Sequence, residues 1–113
     1  MVDLNVPIYK MLKGIARVEL EFPDAKATFP LITICEVSNT ADLIIEGVEF
    51  RSDITYQIDV WDNGKDRSLV EDIANQVSHV LTANHFYRTM SRNMKDPSGL
   101  HRKTMYFKTK AGK

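Results

Sequence analysis

Three aspartates, Asp59, Asp62 and Asp66, fall within eight residues. Carboxylates that converge can hold a hard cation such as Mg2+, so the triplet raises a metal site. The surrounding residues argue against it. Asp62-Asn63-Gly64 is turn chemistry, and Asp59 occupies a polar position of an alternating strand. Zinc chemistry has no better footing. His79, His85 and His101 stand outside any HExxH, paired CxxC or His-x-His pattern, and the residue four beyond His79 is Ala83. The single cysteine, Cys35, lies in the apolar run LITICEV and reads as a small buried hydrophobe with no base beside it in sequence. No Gly-rich phosphate loop and no G-x-S-x-G occurs. The chain therefore offers no catalytic residue, no metal ligand and no cofactor site, and an enzyme is the weakest of the function classes.

Nucleic-acid binding has more to recommend it. Residues 84–113 carry 8 Lys and Arg against 1 acidic residue, while residues 1–83 carry 7 against 14. Arg88, Arg92, Lys95, Arg102, Lys103, Lys108 and Lys110 alternate with Phe86, Tyr87, Tyr106 and Phe107. Basic residues interleaved with aromatics suit phosphates and stacked bases. The same aromatic positions also suit core packing, and the acidic remainder repels a phosphate backbone. Opposed charge on two segments serves two other ends: neutralising neighbouring strands of one sheet, or joining a chain to further copies of itself.

The elements that carry these residues follow from periodicity. Val6, Ile8, Tyr9, Leu12, Ile15 and Ala16 predict a helix over 3–16, with Asp3 or Asn5 as cap and Pro7 in its first turn. Val18, Leu20 and Phe22 then alternate with Glu19 and Glu21 as a short strand. LITICEVSN reads as a central strand, and residues 40–51 as a long hairpin arm. SDITYQIDVWD, residues 52–62, alternates Ile54, Tyr56, Ile58 and Val60 with polar residues, except that the polar face ends in Trp61. Leu69, Val70, Ile73, Ala74, Val77, Val80 and Leu81 predict a helix over 66–82, opened by a Ser68/Glu71 capping box. Strands over 86–95 and 101–110 flank the turn KDPSG, and residues 110–113 are expected to be a disordered tail. One domain spans 1–113. Its class is α+β: an antiparallel sheet of four to five strands, two helices packed on one face, and the arm. No apolar run approaches the roughly 18 residues that cross a bilayer, so no membrane partner is expected, and MVDLNVPIYK lacks the apolar core of a secretory leader.

This order of elements, and above all the strand Tyr56-Gln57-Ile58-Asp59-Val60-Trp61 followed by a polar turn and an amphipathic helix, resembles the tail-terminator or tail-completion (head-to-tail joining) proteins of long-tailed bacteriophages and related prophage particles. The resemblance implies a structural virion protein and no catalysis. It implies a homo-oligomeric ring, a hexamer, on the head-proximal end of the tail tube. The ring would stop tube polymerisation, bind the tail tube protein and offer a docking surface to the head connector or stopper protein. DNA would pass through its lumen without specific binding. Such a protein is assembled in the bacterial host cytoplasm and ends in the virion tail. The alternatives are a neighbouring connector or completion protein of the same particle, and a small nucleic-acid-binding domain.

A ring needs complementary patches on the two sides of each subunit. The expected interface residues are Trp61, Asp59, Arg88, Arg92, Arg102 and Lys103, with the basic strands meeting an acidic segment, 42–72, of the next copy. The expected arm or lumen residues are Asp42, Leu43, Ile44, Ile45, Glu46 and Glu49. Trp61 carries two accounts: a cover over the first turn of the second helix, or an anchor at a contact between copies.

Overall fold

The computed structural model describes every residue except Met1, Ala25 and Lys113. The element order is α1 (Asn5–Leu12), β1 (Arg17–Leu20), β2 (Leu31–Ile45), β3 (Val48–Asp62), α2 (Ser68–Ala83), β4 (Tyr87–Lys95) and β5 (His101–Gly112). The strands form one five-stranded sheet in the order β1-β2-β3-β5-β4. Both helices pack on one face, as an α+β architecture requires.

The core lies between that face and the helices. β3 sends Ile54, Tyr56, Ile58 and Val60 inward, β2 sends Ile32 and Ile34, and β5 sends Met105 and Phe107. Helix α2 meets them with Val70, Ile73, Ala74, Val77 and Leu81, the i, i+3, i+4, i+7 stripe of an amphipathic helix. Helix α1 adds Ile8 and Leu12, one turn apart and fully buried. Full burial of one such side chain stabilises by about 1.5–3 kcal/mol, so two contacts suffice to dock so short a helix. The buried Tyr56 hydroxyl donates to Asn5 Oδ1 at 2.9 Å and ties α1 to the sheet centre.

The ends of the elements differ from expectation in instructive ways. α1 stops at Leu12, because Ile15 N–H turns back to the Leu12 carbonyl and Gly14 lies in that turn. The predicted Ser68/Glu71 box does not form. Asp66 Oδ1 accepts the Ser68 N–H at 2.9 Å and the Ser68 hydroxyl at 2.6 Å, while Glu71 points to Lys103 Nζ at 2.6 Å. Four of the five strands are antiparallel, but the edge strand β1 runs parallel to β2, with Arg17 opposite Leu31 and Leu20 opposite Ile34. Residues 21–30 carry the chain back to the end of the sheet from which β1 set out, a path that no tight hairpin provides. The expected tail from residue 110 is instead strand over Lys110, Ala111 and Gly112, which pair with Asp53, Ser52 and Arg51; the last residue of that tail, Lys113, lies outside the described residues.

β2 and β3 are each 15 residues long and outrun the body as a hairpin. The central residues of its turn, Glu46 and Gly47, have φ of 52° and 78°, the paired positive values of a tight type I′ reversal. The hairpin makes the molecule 55 × 27 × 23 Å and sets the radius of gyration at 15.0 Å. A compact chain of this length would have about 13 Å.

Candidate functional site

The helix-free face of the sheet carries a buried polar cluster. Asp59, 1% exposed, accepts from Arg102 Nε at 3.2 Å, from Gln57 Nε2 at 2.8 Å and from the Thr104 hydroxyl. The Arg102 guanidinium lies 4.5 Å from the centroid of the Trp61 ring and 5.7 Å from that of Phe22. The indole N–H of Trp61 donates to Thr33 Oγ1 at 2.9 Å. The strand pairing explains this assembly: Thr33, Asp59 and Thr104 are cross-strand partners, and Trp61 stands opposite both Leu31 and Arg102.

Trp61 is therefore only 4% exposed, and its own chain covers it. Neither account given above holds in its original form. The ring faces away from α2, so it does not roof the first turn of that helix, and Arg102 lies over the surface an anchor would present. Asp59 and Arg102 are bound to each other in the same cluster. Lys103 is on the opposite face and is spent on Glu71. Of the six expected interface residues, only Arg88 and Arg92 remain open. Both are exposed on β4, and among the described residues neither has an ion-pair partner.

Much of the opposed charge is thus settled inside the chain, by Arg102 with Asp59, Lys103 with Glu71, and Lys110 with Asp42. Asp59, Asp62 and Asp66 do not converge. Asp59 holds Arg102, Asp62 accepts the Gly64 N–H at 3.2 Å, and Asp66 accepts from Ser68 just ahead of α2. Among the described residues no three His, Cys, Asp or Glu side chains gather as a metal site. Cys35 is half-buried on the helix-free face. Burial, and then the charges of Glu21, Asp59 and Glu36, push its thiol up, which keeps it protonated and a poor nucleophile.

The arm is the most unusual surface. Leu43, Ile44, Ile45, Val48 and Phe50 are all exposed, Ile44 by 58%. The first three stood out in sequence. Val48 and Phe50 were missed as members of the tip, although their placement around Glu46-Gly47 gives it away. At the arm's root Asp42 accepts from Arg51 Nε at 2.6 Å and from Lys110 Nζ at 3.2 Å, and these bonds hold its carboxyl below the usual carboxylate range. Asp42 is thus a root brace, not a free charge. Glu46 is exposed at the turn, and Glu49 accepts from the Ser52 hydroxyl at 2.9 Å. A second apolar surface lies beside β1, where Val6, Tyr9 and Leu20 are exposed side by side around one shallow hollow.

No helix among the described residues is long and apolar enough to cross a membrane. A scan of protein-family models finds no match to this chain, and a search of curated proteins finds none either.

Proposed function

We propose that this chain is a structural assembly subunit of the tail-terminator type. Copies close as a ring, a hexamer, on the end of a phage-type tail tube; the ring stops tube growth and receives the head connector. Its place is the virion tail, after assembly in the bacterial cytoplasm, and its work is contact rather than catalysis. The observation that carries the reading is the arm. An isolated two-stranded ribbon is marginal in water, and five large apolar side chains at its tip gain nothing there. They gain by burial against another protein surface, and a protruding element that meets a different surface of the next copy makes the head-to-tail contact from which rings close.

The bare sheet edges fit the same reading. β1 and β4 both present unpaired backbone groups, and edges of this kind are templates for further strands. Ring closure by weak contacts depends on concentration, so a monomer in dilute solution is compatible with it. The test is electron microscopy and light scattering of the purified chain from micromolar to about millimolar concentration, followed by addition to a polymerising tail tube protein. Rings of uniform diameter and tubes of arrested length are the expected results. A chain that is monomeric throughout and leaves tube length unchanged refutes the proposal.

A further inference from the structure

We propose that copies join edge to edge, with the basic strand β4 of one copy pairing antiparallel to the free stretch of β2, residues 36–45, of the next. The inference rests on the ring reading and names the surface that makes the ring.

The two edges match in kind and in length. β1 covers β2 only over Leu31–Ile34, so the far edge of β2 is unpaired from Glu36 to Ile45, ten residues. β4 is paired only to β5, and its other edge is open over nine residues, Tyr87 to Lys95. Their charges are opposite. β4 carries Arg88, Arg92 and Lys95 and no acidic residue, while the free stretch of β2 and its turn carry Glu36, Glu46 and the already paired Asp42 and no basic residue. Self-pairing is disfavoured at both edges, because β4 on β4 sets arginines against arginines and β2 on β2 sets carboxylates together. Only the heterologous pair is attractive, and a heterologous contact is the kind that generates rings.

The strand directions agree. β1, β2 and β5 run one way, and β3 and β4 the other. Copies related by rotation about an axis along the sheet keep these directions, so β4 meets the next β2 antiparallel. The stagger agrees as well. Arg92 is level with Thr104 and Asp59, while Thr40, near the middle of the free edge, is level with Asp53, six residues further along β3. At about 3.3 Å per residue that offset is roughly 20 Å, over four strands spaced about 4.8 Å apart. The strands must then tilt by about 45°, at the upper end of the 35–45° range in which sheets close on themselves.

Two experiments test the contact. In a Cys35→Ser background, Thr40→Cys and Arg92→Cys both lie on the helix-free face, in cross-strand reach across the proposed ladder. Oxidation of the double variant at high concentration should give covalent trimers and larger species on a non-reducing gel. Each single variant should stop at dimers. Separately, Arg88→Glu with Arg92→Glu should abolish assembly with an unchanged melting temperature, and adding Glu36→Lys and Glu46→Lys to the same chain should restore it. Rings that survive the charge reversal, with no ladder from the double cysteine variant, overturn the edge contact and leave the ring standing. Covalent ladders from open filaments support the edge contact and overturn the ring. A chain that remains monomeric at about millimolar concentration with no ladder overturns both.

Discussion

Replacing Asp59 by alanine removes the acceptor of three donors at once. Gln57 is half-buried and turns to water at little cost. The Thr104 hydroxyl, on a residue 4% exposed, has no route to water and keeps only the weak acceptor Met94 Sδ at 3.2 Å, and a buried polar group left unpaired costs about 1–3 kcal/mol. Arg102 loses its counter-ion but keeps the faces of Trp61 and Phe22. Breaking a buried ion pair costs about 3–5 kcal/mol, and the 15% exposure of the Arg102 side chain, which opens a path to solvent, places this case at the lower end. We expect Asp59→Ala to lose about 3 kcal/mol, roughly 10–15 °C in Tm for a domain of this size. Urea unfolding followed by far-UV circular dichroism and by fluorescence of Trp61, the only tryptophan, reads both stability and the arginine stacked on the indole. Asp59→Asn, which keeps shape and one acceptor, should lose about half as much. A loss below about 1 kcal/mol in Asp59→Ala, with the emission of Trp61 unmoved, refutes the idea that this carboxylate organises the helix-free face.

Ile44→Ser with Ile45→Ser should leave Tm within about 2 °C, because both side chains are exposed, and should weaken concentration-dependent assembly in sedimentation velocity. Burial, then the charges of Glu36 and Asp3, push the Tyr56 hydroxyl up to about 12 from 10.0. A folded value above the unfolded one means a contribution complete below pH 10 and lost as pH rises towards 12, so Tyr56→Phe should flatten the alkaline limb of the stability profile while costing about 1 kcal/mol at neutral pH for the lost bond to Asn5. Asp42 has the opposite sign. Its bonds to Arg51 and Lys110 hold its carboxyl below the ordinary 3.8, so its contribution is complete above that value and lost as pH falls through the lowered one. Amide exchange at the arm root should speed up in acid before exchange in the core does.

The helices and strands were legible because their apolar periods are clean: Val70 to Leu81 repeats at helical spacing, and Ile54 to Val60 alternates at strand spacing. The arm was legible because three consecutive apolar residues, Leu43 to Ile45, fit neither period. The parallel β1 was not, since a four-residue strand carries no mark of direction and the loop after it resembles any loop. The fate of Trp61 was hidden for a related reason. Its cover comes from Arg102 on β5, and no local pattern shows that a residue 41 positions away stands opposite it. The same non-local pairing consumed Asp59, Arg102 and Lys103, which sequence had offered as free surface. Arg88 and Arg92 remained open because they lie on an outer strand, with no neighbour to satisfy them.

The last pairing of β5 has a mechanical consequence. As far as Gly112, opposite Arg51, the arm is three strands wide, clamped by Lys110 on Asp42; among the described residues it is a two-stranded ribbon over 43–50. Bending stiffness rises steeply with width, so the arm is a rigid bracket ending in a short compliant tongue, about 13 Å long at 3.3 Å per residue. A chain built this way holds its greasy tip at a fixed distance from the core, yet lets the tip swivel about that position.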